Sequence, residues 1–99
     1  MSFPIPLEVK SLGQYQIFIS YSDGIEGAVD LSYLKEKPIF RKWESPDFFN
    51  KVYINILNKS VAWDEEIELC PDNLYLKLRK LNYTEYLDQL SRVKYATNQ

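Results

Sequence analysis

Asp64, Glu65, Glu66, Glu68 and Asp72 form the one concentration of oxygen ligands in the chain. Carboxylates this close could hold a hard divalent cation, or divide acid and base roles between them. The run lacks the Asp-x-Asp/Asn-x-Asp/Asn-Gly pattern that bends a calcium loop, and no glycine follows Gly27. Glu66 and Glu68 instead alternate with Ile67 and Leu69, which places them together on the solvent side of a strand. The expectation is a solvated loop and strand face, with no metal and no cofactor.

Cys70 precedes a predicted helix, where the positive end of the helix dipole favours a thiolate. The chain has no histidine to serve as its base, and the carboxylates just upstream oppose a thiolate. Cys70 therefore reads as a small buried hydrophobe. Ser20, Ser22 and Ser45 also lack a base and suit turns and caps. The spacing of Gly24 and Gly27 does not cradle a phosphate, and Glu26 would repel one. Without histidine the commonest general base, zinc ligand and triad member are all missing. No catalytic residue is assigned, and the chain is not expected to be an enzyme.

The basic residues Lys77, Arg79, Lys80, Arg92 and Lys94 are candidate contacts for nucleic acid or a partner. They fall on two predicted helices joined at Leu81-Asn82, a superficial likeness to a helix-turn-helix. Residues 76–99 hold five basic and two acidic residues, against seven and twelve in residues 1–75. A net +3 is a thin field for phosphate at physiological salt, so a solvated helix face is the competing reading.

The elements that carry these residues are legible in the pattern. Leu7 to Leu12 predicts a strand, with Gly13-Gln14 as its turn. Ile17, Ile19 and Tyr21 alternate with Gln16, Phe18 and Ser20 in a half-buried strand over Tyr15 to Tyr21. Asp23-Gly24 reverses the chain, since glycine tolerates positive φ and the Asp carboxylate can hold nearby amides. Ile25 to Val29 follows as a short strand in which Gly27 predicts a bulge or an end. Asp30 is expected to cap a short helix that Pro38 ends. Ser45-Pro46-Asp47 starts a further turn or two of helix.

Val52, Ile54 and Ile56 alternate before the Asn58-Lys59 turn, which leads into Ser60 to Trp63 as a hairpin, with Glu66 to Leu69 as a third strand of the same sheet. Pro71-Asp72 opens a helix with Leu74, Leu78 and Leu81 on one face, weakly capped because Cys70 stands at the cap position. Asn82 with Glu85 marks a last helix ending near Lys94.

Ninety-nine residues, 45% of them hydrophobic and 15% aromatic, make one domain with a real core, and a net charge of −2 disfavours a whole-domain nucleic-acid or membrane footprint. A single cysteine excludes an intrachain disulfide and fits a reducing compartment. With no secretory leader pattern and no apolar run of membrane-spanning length, a cytoplasmic location and no membrane partner are expected.

The order Tyr21-Ser22-Asp23-Gly24-Ile25-Glu26-Gly27-Ala28-Val29-Asp30-Leu31-Ser32, Lys37-Pro38-Ile39-Phe40, Asp47-Phe48-Phe49, Val61-Ala62-Trp63 and Glu68-Leu69-Cys70-Pro71-Asp72-Asn73-Leu74-Tyr75 resembles the bacterial domain-of-unknown-function family 2442 over about residues 7–76. Its signature positions here are Asp23, Gly24, Gly27, Asp30, Trp63, Pro71, Asp72 and Tyr75. The chain departs from the family pattern after Trp63, where Asp64-Glu65-Glu66 stands in place of a glycine-bearing turn.

The resemblance implies a small α+β fold and brings no catalytic residues. It also implies a gene placed beside one for another short protein, similar to toxin–antitoxin pairs, and in some relatives a following helix-turn-helix. Residues 77–99 are too few for a complete one. The fold expected is α+β, a small antiparallel sheet of about five strands with short helices and one or two C-terminal helices, residues 77–95 forming a basic helical appendix. The function expected is a noncatalytic interaction module, antitoxin-like toward a neighbouring small protein. Nucleic-acid binding is the alternative, and a homodimer through the last helix or a sheet edge is compatible with both.

Overall fold

The computed structural model describes residues 3–80. Strand β1 (Pro6–Gly13), strand β2 (Gln16–Tyr21) and strand β3 (Glu26–Asp30) form one antiparallel sheet in that order. Two short 3-10 stretches, Ser32–Leu34 and Pro38–Glu44, lead to helix α1 (Pro46–Phe49). Strand β4 (Tyr53–Ile54), strand β5 (Val61–Ala62) and strand β6 (Glu68–Leu69) form a second antiparallel sheet, and helix α2 (Pro71–Leu78) comes after it. The architecture is α+β as expected, but the six strands among the described residues are split between two sheets, in place of a single small sheet of about five. The 3-10 stretches and α1 separate the two sets of strands in sequence. Strand β1 is tied to the end of α1, where the Ser11 hydroxyl donates to Asn50 Oδ1 at 2.6 Å.

The period-two pattern of β2 does what it predicts. Ile17 and Ile19 are fully buried and Tyr21 nearly so, while Phe18 and Ser20 stay half-exposed. Strand β3 pairs with β2 without interruption from Gln16↔Asp30 to Ser20↔Glu26, so no bulge sits at Gly27. Gly27 pairs with Ile19 and so faces the core, where a Cβ would stand 2.9 Å from Leu78 Cδ1. The glycine is a packing choice: it admits α2 close to the sheet. The register shifts lie instead in β1, between Pro6 and Glu8 and between Ser11 and Gly13.

An aromatic cluster fills the middle of the molecule. Trp43 stacks on Phe40 at 4.4 Å between ring centroids, and lies 4.7 Å from Trp63 and 5.5 Å from Phe49. Trp63 anchors the cluster by donating from Nε1 to the Phe49 carbonyl at 2.8 Å. Trp43 Nε1 has no acceptor among the described residues, a buried donor whose lost hydration costs roughly 1–3 kcal/mol.

Three boundaries differ from expectation. Asp30 Oδ1 does accept from the Ser32 amide at 2.8 Å, but the helix beyond it is a single 3-10 turn with Leu31 at its cap position. Pro38 opens the second 3-10 stretch rather than only ending the first, because its fixed φ suits a first helical position. Helix α2 ends at Leu78, before Leu81. The Ser45 start is as read, its hydroxyl accepting from Phe48 N at 3.4 Å. The helix predicted from Asn82 lies outside the described residues.

Candidate interaction surface

The two ends of the signature meet in space. Around the Asp23-Gly24 reversal, Tyr21 N donates to the Ile25 carbonyl at 2.9 Å and Gly24 N to the Tyr21 carbonyl at 3.0 Å. Gly24 holds a φ of 90°, and Asp23 Oδ1 accepts from the Ile25 amide at 3.0 Å. The other carboxylate oxygen, Oδ2, accepts from the Tyr75 hydroxyl on α2 at 2.6 Å. Arg79 Nη1 donates to that same hydroxyl at 3.1 Å. The Tyr21 ring meets Tyr75 edge-on at 4.9 Å, and the Tyr21 hydroxyl donates to the Pro71 carbonyl at 2.7 Å. Burial pushes both phenols up, so both remain neutral donors. This arrangement is a clasp between turn and helix.

The acidic run does not converge. Asp64 Oδ1 accepts from the amides of Glu66 and Ile67, each at 2.9 Å, and its Oδ2 pairs with Lys42 Nζ at 3.1 Å. The Lys42 ammonium and those amides hold the Asp64 carboxyl below its ordinary value. The carboxylate thereby supplies the turn after Trp63 that the family pattern gives to glycine. Glu68 Oε1 accepts from Ser60 Oγ at 2.8 Å and Asn58 Nδ2 at 3.2 Å, on another side of the hairpin. Among the described residues no three acidic or thiol groups stand together as a cation site. Asp72 sits in the first turn of α2, and desolvation raises its carboxyl.

Cys70 corrects the sequence reading: it is exposed, not buried, since it stands at the cap position of α2 and Ile67 and Leu69 carry the inward contacts of that stretch. The basic residues are drawn to different neighbours. Lys77 Nζ lies over the Tyr33 ring at 4.0 Å, whereas Arg79 belongs to the Tyr75 clasp and Lys80 follows it with a φ of 58°. Arg92 and Lys94 lie outside the described residues.

The most exposed large apolar residues among those described are Ile56, which the alternation assigns to a strand, and its neighbour Leu57. Ile56 is 81% and Leu57 91% exposed, in the loop between β4 and β5 rather than in continuation of β4. That loop is tightly bonded. Asn55 Oδ1 accepts from the Leu57 amide at 2.8 Å and the Asn58 amide at 3.4 Å; Asn58 Oδ1 accepts from the Ser60 amide at 2.9 Å. Lys59 N donates to the Asn55 carbonyl at 2.7 Å and Asn55 N to the Ser60 carbonyl at 2.9 Å. The two Asn residues flanking Ile56-Leu57 are the available signal, since Asn side chains close turns in place of strand ladders. Beside the loop runs a groove of about 390 Å³ walled by Phe3, Ile5, Pro6, Lys59 and Pro71, with Cys70 and Asp72 also lining it. No helix among the described residues is long and apolar enough to cross a membrane.

No curated protein matches the chain by sequence. Among solved structures, the fold is similar to a crystal structure from Nitrosomonas europaea ATCC 19718 named "Putative DNA Binding Protein", with a TM-score of 0.75 and 24% identity. The match covers 93% of this chain and 62% of that one, so this chain spans less than two thirds of its structural neighbour. A family model described as "Protein of unknown function (DUF2442)" matches residues 6–80, which takes in β1 through the end of α2 and both halves of the Asp23–Tyr75 clasp. The chain belongs to the DUF2442 family.

Proposed function

We propose that the chain is a noncatalytic protein-interaction module whose docking residues are Ile56 and Leu57. The observation that carries this reading is that both side chains stand in solvent on a loop already fixed by its own hydrogen bonds. Ordering a loop costs binding free energy, and a pre-ordered apolar tip avoids that cost. The partner we propose is a small protein encoded beside this one, the chain acting in the cytoplasm as the antitoxin-like member. Absence of histidine and dispersal of the carboxylates support a noncatalytic role.

Co-expression with the neighbouring small protein, followed by size-exclusion chromatography, tests it. The expected result is co-elution that is lost in the Ile56→Ser, Leu57→Ser double variant. Separate elution, or a complex indifferent to the double variant, would sink the reading.

A second reading, nucleic-acid binding, draws on the name of the structural neighbour and on the basic residues near the end of α2. It predicts salt-dependent retardation of DNA that weakens when Arg79 and Lys80 become Ala. The positions of Lys77 over Tyr33 and Arg79 against Tyr75 weigh against it, since both cations already have ring and hydroxyl neighbours.

A further inference from the structure

The turn between β1 and β2 is built from residues ill suited to it. Gly13 and Gln16 pair across it, and the two residues between them, Gln14 and Tyr15, hold φ values of 52° and 65°. A two-residue turn of this hand favours Asn-Gly, because a Cβ clashes in the left-handed region and glycine has none. A tyrosine there is strained. Such strain persists only where the surroundings impose it, and it gathers at ligand clamps. The Tyr15 ring lines a pocket of about 250 Å³, with Trp43 and Phe49 as the other aromatic walls. The Tyr15 and Phe49 ring centroids lie 6.0 Å apart, and those of Trp43 and Phe49 5.5 Å. Trp43 also carries the buried Nε1 that has no acceptor among the described residues. Gln14, Glu44 and Asn50 are the polar walls. Asn50 Oδ1 already accepts from the Ser11 hydroxyl, which leaves Nδ2 to donate, whereas an ionised Glu44 can only accept. No lysine or arginine is among the walls, and Lys35, its Nζ 6.0 Å from the Tyr15 centroid, stands outside them.

We infer that this pocket binds a nucleobase, a flat and uncharged nitrogen heterocycle that stacks on the rings, accepts from Trp43 Nε1 and Asn50 Nδ2 through its carbonyl oxygen, and donates to Glu44. The site shares no wall residue with the Ile56-Leu57 loop, so it stands or falls apart from the interaction reading. Each part of the ligand answers one part of the wall. Every base has a π face for aromatic side chains. Guanine alone among the four DNA bases sets a carbonyl oxygen beside two N–H donors on one edge, which matches donors and a carboxylate together. It is therefore the base expected to bind best. With a carboxylate among its walls and no cation, the pocket disfavours a phosphate or any other anion inside it.

Titration of the 15N-labelled full chain with guanosine, and separately with a short guanine-rich single-stranded oligodeoxynucleotide, tests this through the two indole N–H signals. Trp63 Nε1 is already bonded to the Phe49 carbonyl and is the internal reference. The Trp43 signal should move downfield as its N–H gains an acceptor, and the Trp63 signal should move less. A response to guanosine assigns the pocket to free base compounds, and a response to the strand alone assigns it to unpaired bases of a nucleic acid; either upholds the inference. No movement with either ligand overturns it, as does movement of equal size with toluene, which brings a ring but no acceptor. Tyr15→Gly places at φ 65° the residue best suited to it, so the variant should fold and bind the responding ligand roughly tenfold or more weakly. Glu44→Ala changes an exposed position and should weaken guanine without altering unfolding. Unchanged affinity in both folded variants overturns the inference.

Discussion

At the reversal after β2, Asp23 Oδ1 accepts from a backbone amide two residues on, and its second oxygen is taken by Tyr75 from a helix 52 residues away. At the reversal after β4, Asn55 Oδ1 accepts from the amide two residues on in the same manner, but the side-chain bonds beyond it stay within the hairpin and its neighbour strand, through Asn58, Ser60 and Glu68. The local chemistry is nearly the same and the outcome is opposite. One turn is drawn down onto the core by an aromatic hydroxyl. The other holds two large aliphatic side chains out in water. A turn's sequence sets its shape; its use depends on what the rest of the chain sends to meet it.

The clasp is the place where that contrast breaks most easily. Tyr75 is 2% exposed and packs against Tyr21 and Phe3, so Tyr75→Ala should cost about 3–5 kcal/mol in denaturant unfolding. Tyr75→Phe keeps the ring contacts and removes only the hydroxyl bonded to Asp23 and Arg79, for an expected loss of about 1 kcal/mol. If the two variants lost the same amount, the hydroxyl and not the ring would be the element that joins turn to helix.

Next in size is the backbone of the first reversal. Gly24 holds a φ of 90°, so Gly24→Ala should destabilise by about 1–2 kcal/mol although its Cβ would meet no atom within 4 Å. A neutral result would mean that the turn relaxes freely, and the two reversals would then differ less than their bonding indicates. Smaller still, Ile56→Ser with Leu57→Ser should change unfolding by less than about 0.5 kcal/mol, because neither side chain is buried. A large loss there would show that the tip is packed in the folded protein, contrary to its exposure.

The smallest effect is a pH dependence. The Asp64 carboxyl is held below its ordinary 3.8 by Lys42 and the amides of Glu66 and Ile67. Its folded value lies below its unfolded one, so its contribution is present above 3.8 and is lost as the pH falls through the depressed value. Asp64→Asn should therefore flatten the acid limb of a stability-against-pH curve while leaving its neutral part lower. An unchanged acid limb would remove Asp64 from the account of that turn.

The features legible in the sequence are local ones. The alternation of β2, the Asp23-Gly24 reversal, the Ser45 start and the Cys70 cap position each depend on residues within a few positions of one another, and each is found. Pattern falters where distant segments decide. Gly27 resembles a bulge because a glycine in a strand is usually a local irregularity; the reason for it is Leu78, 51 positions on. Ile56 continues an alternation of apolar residues, but the Asn55 side chain takes the amides a strand would have needed. Residue type alone makes Cys70 a buried hydrophobe, whereas its exposure comes from its place between β6 and α2. The division into two sheets also lies beyond pattern, since period-two alternation identifies a strand and not its neighbour.

Both tryptophans of the chain, Trp43 and Trp63, sit in the aromatic cluster with ring centroids 4.7 Å apart, and each is 3% exposed or less. Tryptophan emission from this protein therefore comes entirely from its interior. It should shift strongly on unfolding and stay almost unchanged when a partner covers Ile56 and Leu57, so a silent titration followed by tryptophan fluorescence would not count against assembly at the loop.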